Sequence, residues 1–396
     1  MGTSHRNKRE KRKASPEKKI RGNQDEKKVR NMETRHFIWI GFLVIAAVIV
    51  MWTYCVAEND QSRNLDELLK YYNVTHSLSK IDRRSKLSLQ EYMDVYDAKF
   101  PVLITDVVPL WPAFNWTKDF FLKNYGGVKV TVKTVEGDLS KAESLALPIS
   151  MFIQKSHSGS FQTWTYLEDE MFITQRPELL NDIGKVAYLE EDYFELFPAE
   201  IKPWNAMLLW GSVYSRSPLH IDPYNWTGTN AVLMGTKRWK MYPPGQDDYL
   251  YVINDQKSGF PLDCYKYNSP IDAYDVNLDK YPKFQKTKWL EFDQYAGELL
   301  LIPTGWFHQA FNVEETMAIS SQVMNTNNYK IVLEEILKAG NFDDINLPID
   351  YASLLPEKQV ETLMSVLPGK ILEKGRQVTE SVLNQLKYDE LYQQQG

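Results

Sequence analysis

The sequence predicts an all-β core, a jelly-roll-like barrel flanked by helices at both ends and preceded by a single transmembrane helix. Three observations carry this. Short alternating apolar and polar runs, punctuated by Gly, Pro and Asn turns, continue from about residue 100 to Met324. Helical periodicity is confined to the flanks of that region, which is the order expected of a β core with helical additions. One run of 21 residues near the N-terminus carries no charge at all.

That run is "FIWIGFLVIAAVIVMWTYCVA" at 37–57, and as a helix it would be about 31 Å long, the thickness of a bilayer's hydrocarbon core. Trp39 near one end and Trp52 and Tyr54 near the other suit interfacial anchors. Cys55 and Ala57 could form a small-x-small cleavage site, but the run exceeds a signal peptide's apolar region and follows 36 residues of polar chain. The twenty residues before it hold seven Lys or Arg and the twenty after it two. The positive side stays cytoplasmic, so the expectation is a single-pass type II membrane protein with its bulk in the endoplasmic reticulum or Golgi lumen, or outside the cell. Three N-x-S/T sequons, at Asn73, Asn115 and Asn225, fall on that side and are the expected glycosylation sites.

Charge divides the chain in the same place. Residues 1–36 hold 13 Lys/Arg against 5 Asp/Glu, while the whole chain has a net charge of −6. The basic arm reads as a disordered cytoplasmic tail, and the acidic remainder argues against a nucleic-acid partner. Aromatic residues make up 13% of the chain, which excludes disorder for the bulk. With only Cys55 and Cys264, no intrachain disulfide framework is expected. The domain plan is therefore a tail at 1–36, a membrane helix at 37–57, a stalk at 58–77, a catalytic β domain at 78–330 and a helical region at 331–396.

Within the β domain, "LSLQEYMDVYDAKFPVLITDVV" and the stretch after it predict a helix, a strand, a second helix and another strand. Two hairpins are expected. One joins 230–234 to 237–242 through Gly235-Thr236, and the other joins 306–312 to 316–323 through Val313-Glu314-Glu315. Beyond Asn328, "YKIVLEEILKAG" and "VTESVLNQLKYDELYQQ" read as helices, the expected site of self-association.

The chemistry rests on "SPLHIDPYNWTGTNAVLMGTKRW". Residues i and i+2 of a strand project to one face, so His220 and Asp222 offer a nitrogen and an oxygen ligand together. A second histidine would complete the facial two-His, one-carboxylate set of non-haem Fe(II) oxygenases. Of the other histidines after the apolar run, His76 lies in a polar segment and His157 in the loop "KSHSGS". His308, in "GELLLIPTGWFHQAFN", sits on a strand among aromatics. Either motif alone recurs by chance; the combination, with Lys237 nearby, points to a metal centre.

The segments "HIDPYNWTGTNAVLMGTKRWKMYPP" and "GELLLIPTGWFHQAFNVEETMAIS" resemble the jumonji-C family of Fe(II)- and 2-oxoglutarate-dependent oxygenases, most of all its small hydroxylase branch, which includes the bifunctional arginine demethylase and lysyl-hydroxylase. The resemblance covers residues 78–330 and implies a double-stranded β-helix of cupin-like form. It implies His220, Asp222 and His308 as metal ligands and catalytic centre. It implies Lys237, aided by Ser320, as the partner of the remote carboxylate of 2-oxoglutarate, with Asn230, Tyr166 and Ser217 as further contacts. Arg238 and Lys240, beside Lys237, are expected to be solvated.

The function implied is hydroxylation of a protein or peptide side chain with Fe(II), 2-oxoglutarate and O2, releasing succinate and CO2. Lysine or arginine N-demethylation is an alternative on the same iron chemistry. A catalytically inactive binding module, a structural metal-binding cupin and a glycan- or small-molecule-directed hydroxylase are the others. The acidic, Tyr-rich insertion at 246–286 is expected to wall the substrate side, and its acidity favours a basic peptide.

Overall fold

The structure, a computed structural model, describes residues 81–393 apart from 138–141, 259–261, 341 and 343–344. The basic tail, the apolar run, the stalk and Asn73 lie outside the described residues.

The order predicted from 87 onward is present. The Ser88 hydroxyl accepts the Glu91 N–H at 3.1 Å and starts a helical turn, Leu89–Glu91, that continues as a π-helical stretch, Tyr92–Tyr96. Strand β1 (Asp82–Arg84) lies parallel to β2 (Val102–Ile104). Helix α1 (Lys118–Tyr125) is capped by Thr117, whose hydroxyl accepts the Phe120 N–H at 3.2 Å. Then come β3 (Lys129–Glu136), β4 (Glu143–Pro148), helix α2 (Ile149–Ser156), β5 (Thr163–Asp169) and β6 (Met207–Gly211). The remaining strands are β7 (Thr227–Met234), β8 (Thr236–Tyr242), β9 (Leu290–Tyr295), β10 (Leu299–Ile302), β11 (Phe307–Asn312) and β12 (Thr316–Val323). Helices α3 (Tyr329–Ala339), α4 (Pro356–Ser365) and α5 (Gly369–Gln393) close the chain.

These strands form the cupin-like β core expected from the sequence. A large sheet of order β1-β2-β10-β7-β12-β6-β5-β3-β4 faces a small one of order β11-β8-β9. Trp239, Met241 and Phe292 of the small sheet pack on Leu103, Leu300 and Ile302 of the large one and fill one end of the space between them. On the outer face of the large sheet, Trp210 meets Phe121 of α1 and Phe152 of α2 with ring centroids 5.4 and 5.6 Å apart. The buried sides of α3 and α4 (Val332, Leu333, Ile336, Val360, Leu363) are taken up by the chain's own Phe194, Phe197, Tyr224 and Leu262.

Two expectations are corrected here. Neither predicted hairpin is one. β7 pairs with β10 and β12 and β8 with β9 and β11, so Gly235, at φ +82°, carries the chain from the large sheet to the small. The turn between β11 and β12 carries it back. Turn residues report a reversal of direction; they do not specify which strand the returning chain pairs with.

The second correction concerns the membrane. Among the described residues no helix is long and apolar enough to cross one, and the run at 37–57 lies outside them. The single-pass type II assignment and the lumenal placement are therefore withdrawn, and with them the setting that made the sequons glycan acceptors. The Asn225 side chain is engaged in the fold, its Oδ1 accepting the Gly305 N–H at 2.6 Å.

Candidate metal centre and active site

His220 and His308 stand directly opposite one another. Each donates its backbone N–H to the other's carbonyl, at 3.1 and 2.8 Å, the closed pair of an antiparallel ladder in which facing side chains project to one side. The bridge is isolated: the chain after His220 leaves the sheet and enters a 3₁₀ turn at Pro223–Asn225. Asp222 thus reaches the shared face from the end of a bridge rather than from the regular strand that the spacing predicts. Its Oδ1 lies 3.6 Å from His220 Nε2 and 3.4 Å from His308 Nε2, and ligand atoms of all three residues fall within 4.8 Å of one another.

Both imidazoles are preset as ligands. The Nδ1–H of His220 donates to the Pro218 carbonyl at 2.8 Å and that of His308 to the Trp306 carbonyl at 3.2 Å. This fixes the tautomer that leaves each Nε2 lone pair turned to the shared face. Burial pushes the Asp222 carboxyl up, but the neighbouring His308 and His220 outweigh it and hold the group well below the usual carboxylate range. Space for that carboxylate comes from Gly228 on β7, where an added Cβ would overlap Asp222 Oδ2.

The second feature of the site is Lys237. It pairs in register with Asn312 across β8 and β11, points into the space between the sheets and is 1% exposed. Its ammonium donates to Asn312 Oδ1 at 3.0 Å and to the Tyr166 hydroxyl at 3.2 Å, and among the described residues no carboxylate pairs with it. Burial, only partly countered by the charge of Glu168, lowers its pKa to about 7. Burial also drives the Tyr166 phenol far above its ordinary range, so its proton stays on and is available to an acceptor. Asn312 was not singled out from the sequence, although its place four residues after His308 on one strand puts both on one face.

A cavity of about 420 Å³ joins these features, and Tyr166, Ser217, His220, Asp222, Asn230, Lys237, His308 and Ser320 all line it. Asn230 Oδ1 is buried without a hydrogen-bond partner. The Ser320 hydroxyl donates to the Thr229 carbonyl at 2.9 Å, and the Ser217 hydroxyl accepts the Ala310 N–H at 3.1 Å, which pins the segment before His220 to β11. The insertion does contribute to the wall, through Ser258, Cys264, Tyr265, Lys266 and Asn268. Three of its carboxylates are engaged elsewhere: Asp272 pairs with Arg216, Asp248 with Lys283 and Asp263 with Lys374. Lys240 is not solvated as expected; it donates to the Ala273 carbonyl at 2.9 Å beneath that insertion.

A model of the cupin-like domain family matches residues 88–327. The chain belongs to the cupin-like jumonji-C family. Among curated relatives, "Lysine-specific demethylase JMJ21" of Arabidopsis thaliana is 29% identical over 256 residues, 64% of this chain and 26% of the relative. "Bifunctional arginine demethylase and lysyl-hydroxylase psr-1" of Caenorhabditis elegans is 23% identical over 267 residues, 66% of this chain and 65% of the relative. "2-oxoglutarate and iron-dependent oxygenase JMJD4" of Gallus gallus is 34% identical over 122 residues, 30% of this chain and 26% of the relative. The chain thus spans between 26% and 65% of the length of these relatives. Jumonji-C proteins use Fe(II) and 2-oxoglutarate, and the residues present fit both. Two imidazole nitrogens and a carboxylate form an iron-type donor set, and a buried cation without a counter-charge among the described residues suits a dianionic cosubstrate.

Proposed function

We propose that the chain is an Fe(II)- and 2-oxoglutarate-dependent oxygenase that hydroxylates a protein or peptide side chain. The observation that carries this reading is the presence, in one cavity, of three converging ligand atoms and a buried lysine with no carboxylate partner among the described residues. Under it, residues 78–330 are the oxygenase domain and 331–396 the helices that complete its core.

His220, Asp222 and His308 would hold the iron. Lys237 would hold the remote carboxylate of 2-oxoglutarate. Two of its protons are engaged by Tyr166 and Asn312, so the third and the Tyr166 hydroxyl proton are the donors left for that carboxylate. Asn230 and Ser320 flank the same space, while Ser217 acts by fixing the approach to His220. Bound together, iron, 2-oxoglutarate and O2 supply an oxidation that places one oxygen atom on an unactivated C–H carbon and releases succinate and CO2. The chain's part is to hold the ligands in their tautomers, to keep the cosubstrate's charge countered, and to exclude water with Trp239, Leu209 and Ala310.

The names of the relatives favour a second reading on the same residues, the removal of an N-methyl group, since a hydroxylated N-methyl carbon leaves as formaldehyde. The test is succinate release by the purified full chain with Fe(II), 2-oxoglutarate and a library of unmodified and N-methylated peptides. A product heavier by one oxygen atom indicates hydroxylation, and formaldehyde indicates demethylation. Absence of peptide-stimulated succinate, with iron and 2-oxoglutarate both bound, would make the chain a binding module instead.

A further inference from the structure

The cavity has a wall that the metal ligands and Lys237 do not use. On β5, side chains two apart share a face, so Tyr166, Glu168 and, just past the strand's end, Glu170 line the cavity in succession. At about 3.4 Å per residue, the strand runs about 10 Å from Tyr166 to its end at Asp169, and Glu170 follows just beyond. That separation places the cosubstrate's cation and this carboxylate at opposite ends of one space. The same cavity is also lined by Pro203, Trp204, Trp226 and Tyr265.

The charges on this wall are paired off, with one buried exception. Glu168 is held by Lys133, and Lys202 by Glu195 at 2.5 Å. Lys266 is exposed to solvent at the rim. Glu170 is largely buried, and its carboxylate has neither a hydrogen bond nor an ion pair among the described residues. Burial first, and then the nearby charges of Glu168 and Asp169, push it up to about 7. A buried acid left without a partner is costly to ionise, and a cation brought to it removes that cost. Indole and phenol faces suit the same ligand, since they accept both a hydrocarbon stem and a positive head group.

We propose that Glu170 is the specificity-determining residue for substrate, selecting a side chain that carries a positive charge on an apolar stem, of lysine or arginine type. The inference rests on the oxygenase reading above and adds to it a residue and a charge. It also relocates the source of basic-substrate preference. None of the insertion's described carboxylates lines the cavity, and the acid that meets it comes from the end of β5. Glu168, already held by Lys133, sets the position of that pair and leaves Glu170 to read the substrate.

The test uses the full chain loaded with Mn(II) and 2-oxoglutarate, which binds without turning over. Peptides identical except for a central Lys, Arg, norleucine, Gln or Glu are compared by fluorescence anisotropy, and Mn(II) and 2-oxoglutarate binding are measured in the same samples. Wild type is expected to favour the Lys or Arg peptide over norleucine by about tenfold or more, as for a desolvated charge-assisted contact. Glu170→Gln, which keeps the shape, should bring that ratio near one, and Glu170→Lys should turn the preference toward Glu. A wild type that binds cationic peptides no better than norleucine, including one that binds neither, overturns the assignment. So does a Glu170→Gln protein that keeps the preference. If instead the wild type binds no Mn(II) or 2-oxoglutarate, the oxygenase reading itself fails.

Discussion

Replacing Lys237 with methionine should stabilise the ligand-free protein while abolishing its cosubstrate binding. Lys237 is held in the fold with a pKa of about 7 against 10.5 for a free lysine. At about 1.4 kcal/mol per pH unit, carrying the ammonium into that site costs about 4–5 kcal/mol at any pH below 7. Methionine has nearly the same length and no charge. It leaves the Tyr166 and Asn312 oxygens without their donor, a loss of about 1–3 kcal/mol. The net expectation near pH 6.5 is therefore a gain of about 2 kcal/mol. The pH dependence gives the sharper check. Between pH 7 and 10.5 the unfolded chain binds the proton that the folded chain has lost, so wild-type stability rises with pH relative to the variant across that window. Denaturant melts of both proteins at pH 6.5 and 9.5, without ligand, measure the gap. The variant should lead at pH 6.5, and its lead should vanish or reverse by pH 9.5. 2-Oxoglutarate should raise the wild-type midpoint only. A variant less stable at pH 6.5, or a gap that does not change with pH, would show that Lys237 is not a buried, uncompensated cation.

The same lysine makes cosubstrate binding pH-dependent: wild-type affinity for 2-oxoglutarate should fall by up to about fiftyfold from pH 7 to pH 9, with proton uptake on binding. Calorimetry in two buffers of different ionisation enthalpy detects that proton, and its absence at pH 8.5 would refute the coupling. His220→Ala, Asp222→Ala and His308→Ala should each weaken Mn(II) binding by more than about a hundredfold with circular dichroism unchanged; a variant that binds Mn(II) as wild type does is not missing a ligand. Gly228→Ala should cost about ten- to a hundredfold in Mn(II) affinity without touching the metal, because the new methyl occupies the space of Asp222 Oδ2. Unchanged affinity there would mean that Asp222 has room to move and still bind.

Much of the site could be read from the chain because it depends on local spacing. His220 and Asp222 are two residues apart, and a histidine after a Pro/Gly turn among aromatics is visible as such. Lys237 was set apart from its basic neighbours by the family resemblance, and the alternation of β8 does turn Lys237, Trp239 and Met241 inward. That alternation did not show what covers the other face. Arg238 pairs there with Asp293 at 2.7 Å, whereas Lys240 is roofed by Ala273 of the insertion, 33 residues further along the sequence. Glu168 and Glu170 carried the same period-two signal from Tyr166, but nothing in the sequence says which acid has a lysine beside it.

The sequence by itself determined the class of the core, the order of its elements and the three metal-ligand candidates, because side-chain periodicity and turn chemistry act over a few residues. Tertiary structure decided which strands pair, and so turned two apparent hairpins into passages between sheets. It also decided that His220 and His308, 88 positions apart in the sequence, face each other across one hydrogen-bonded pair. Burial and charge pairing were settled at the same level. Whether Lys237 or Glu170 lacks a counter-ion depends on every element packed around it, and desolvation has no signature in the residues on either side.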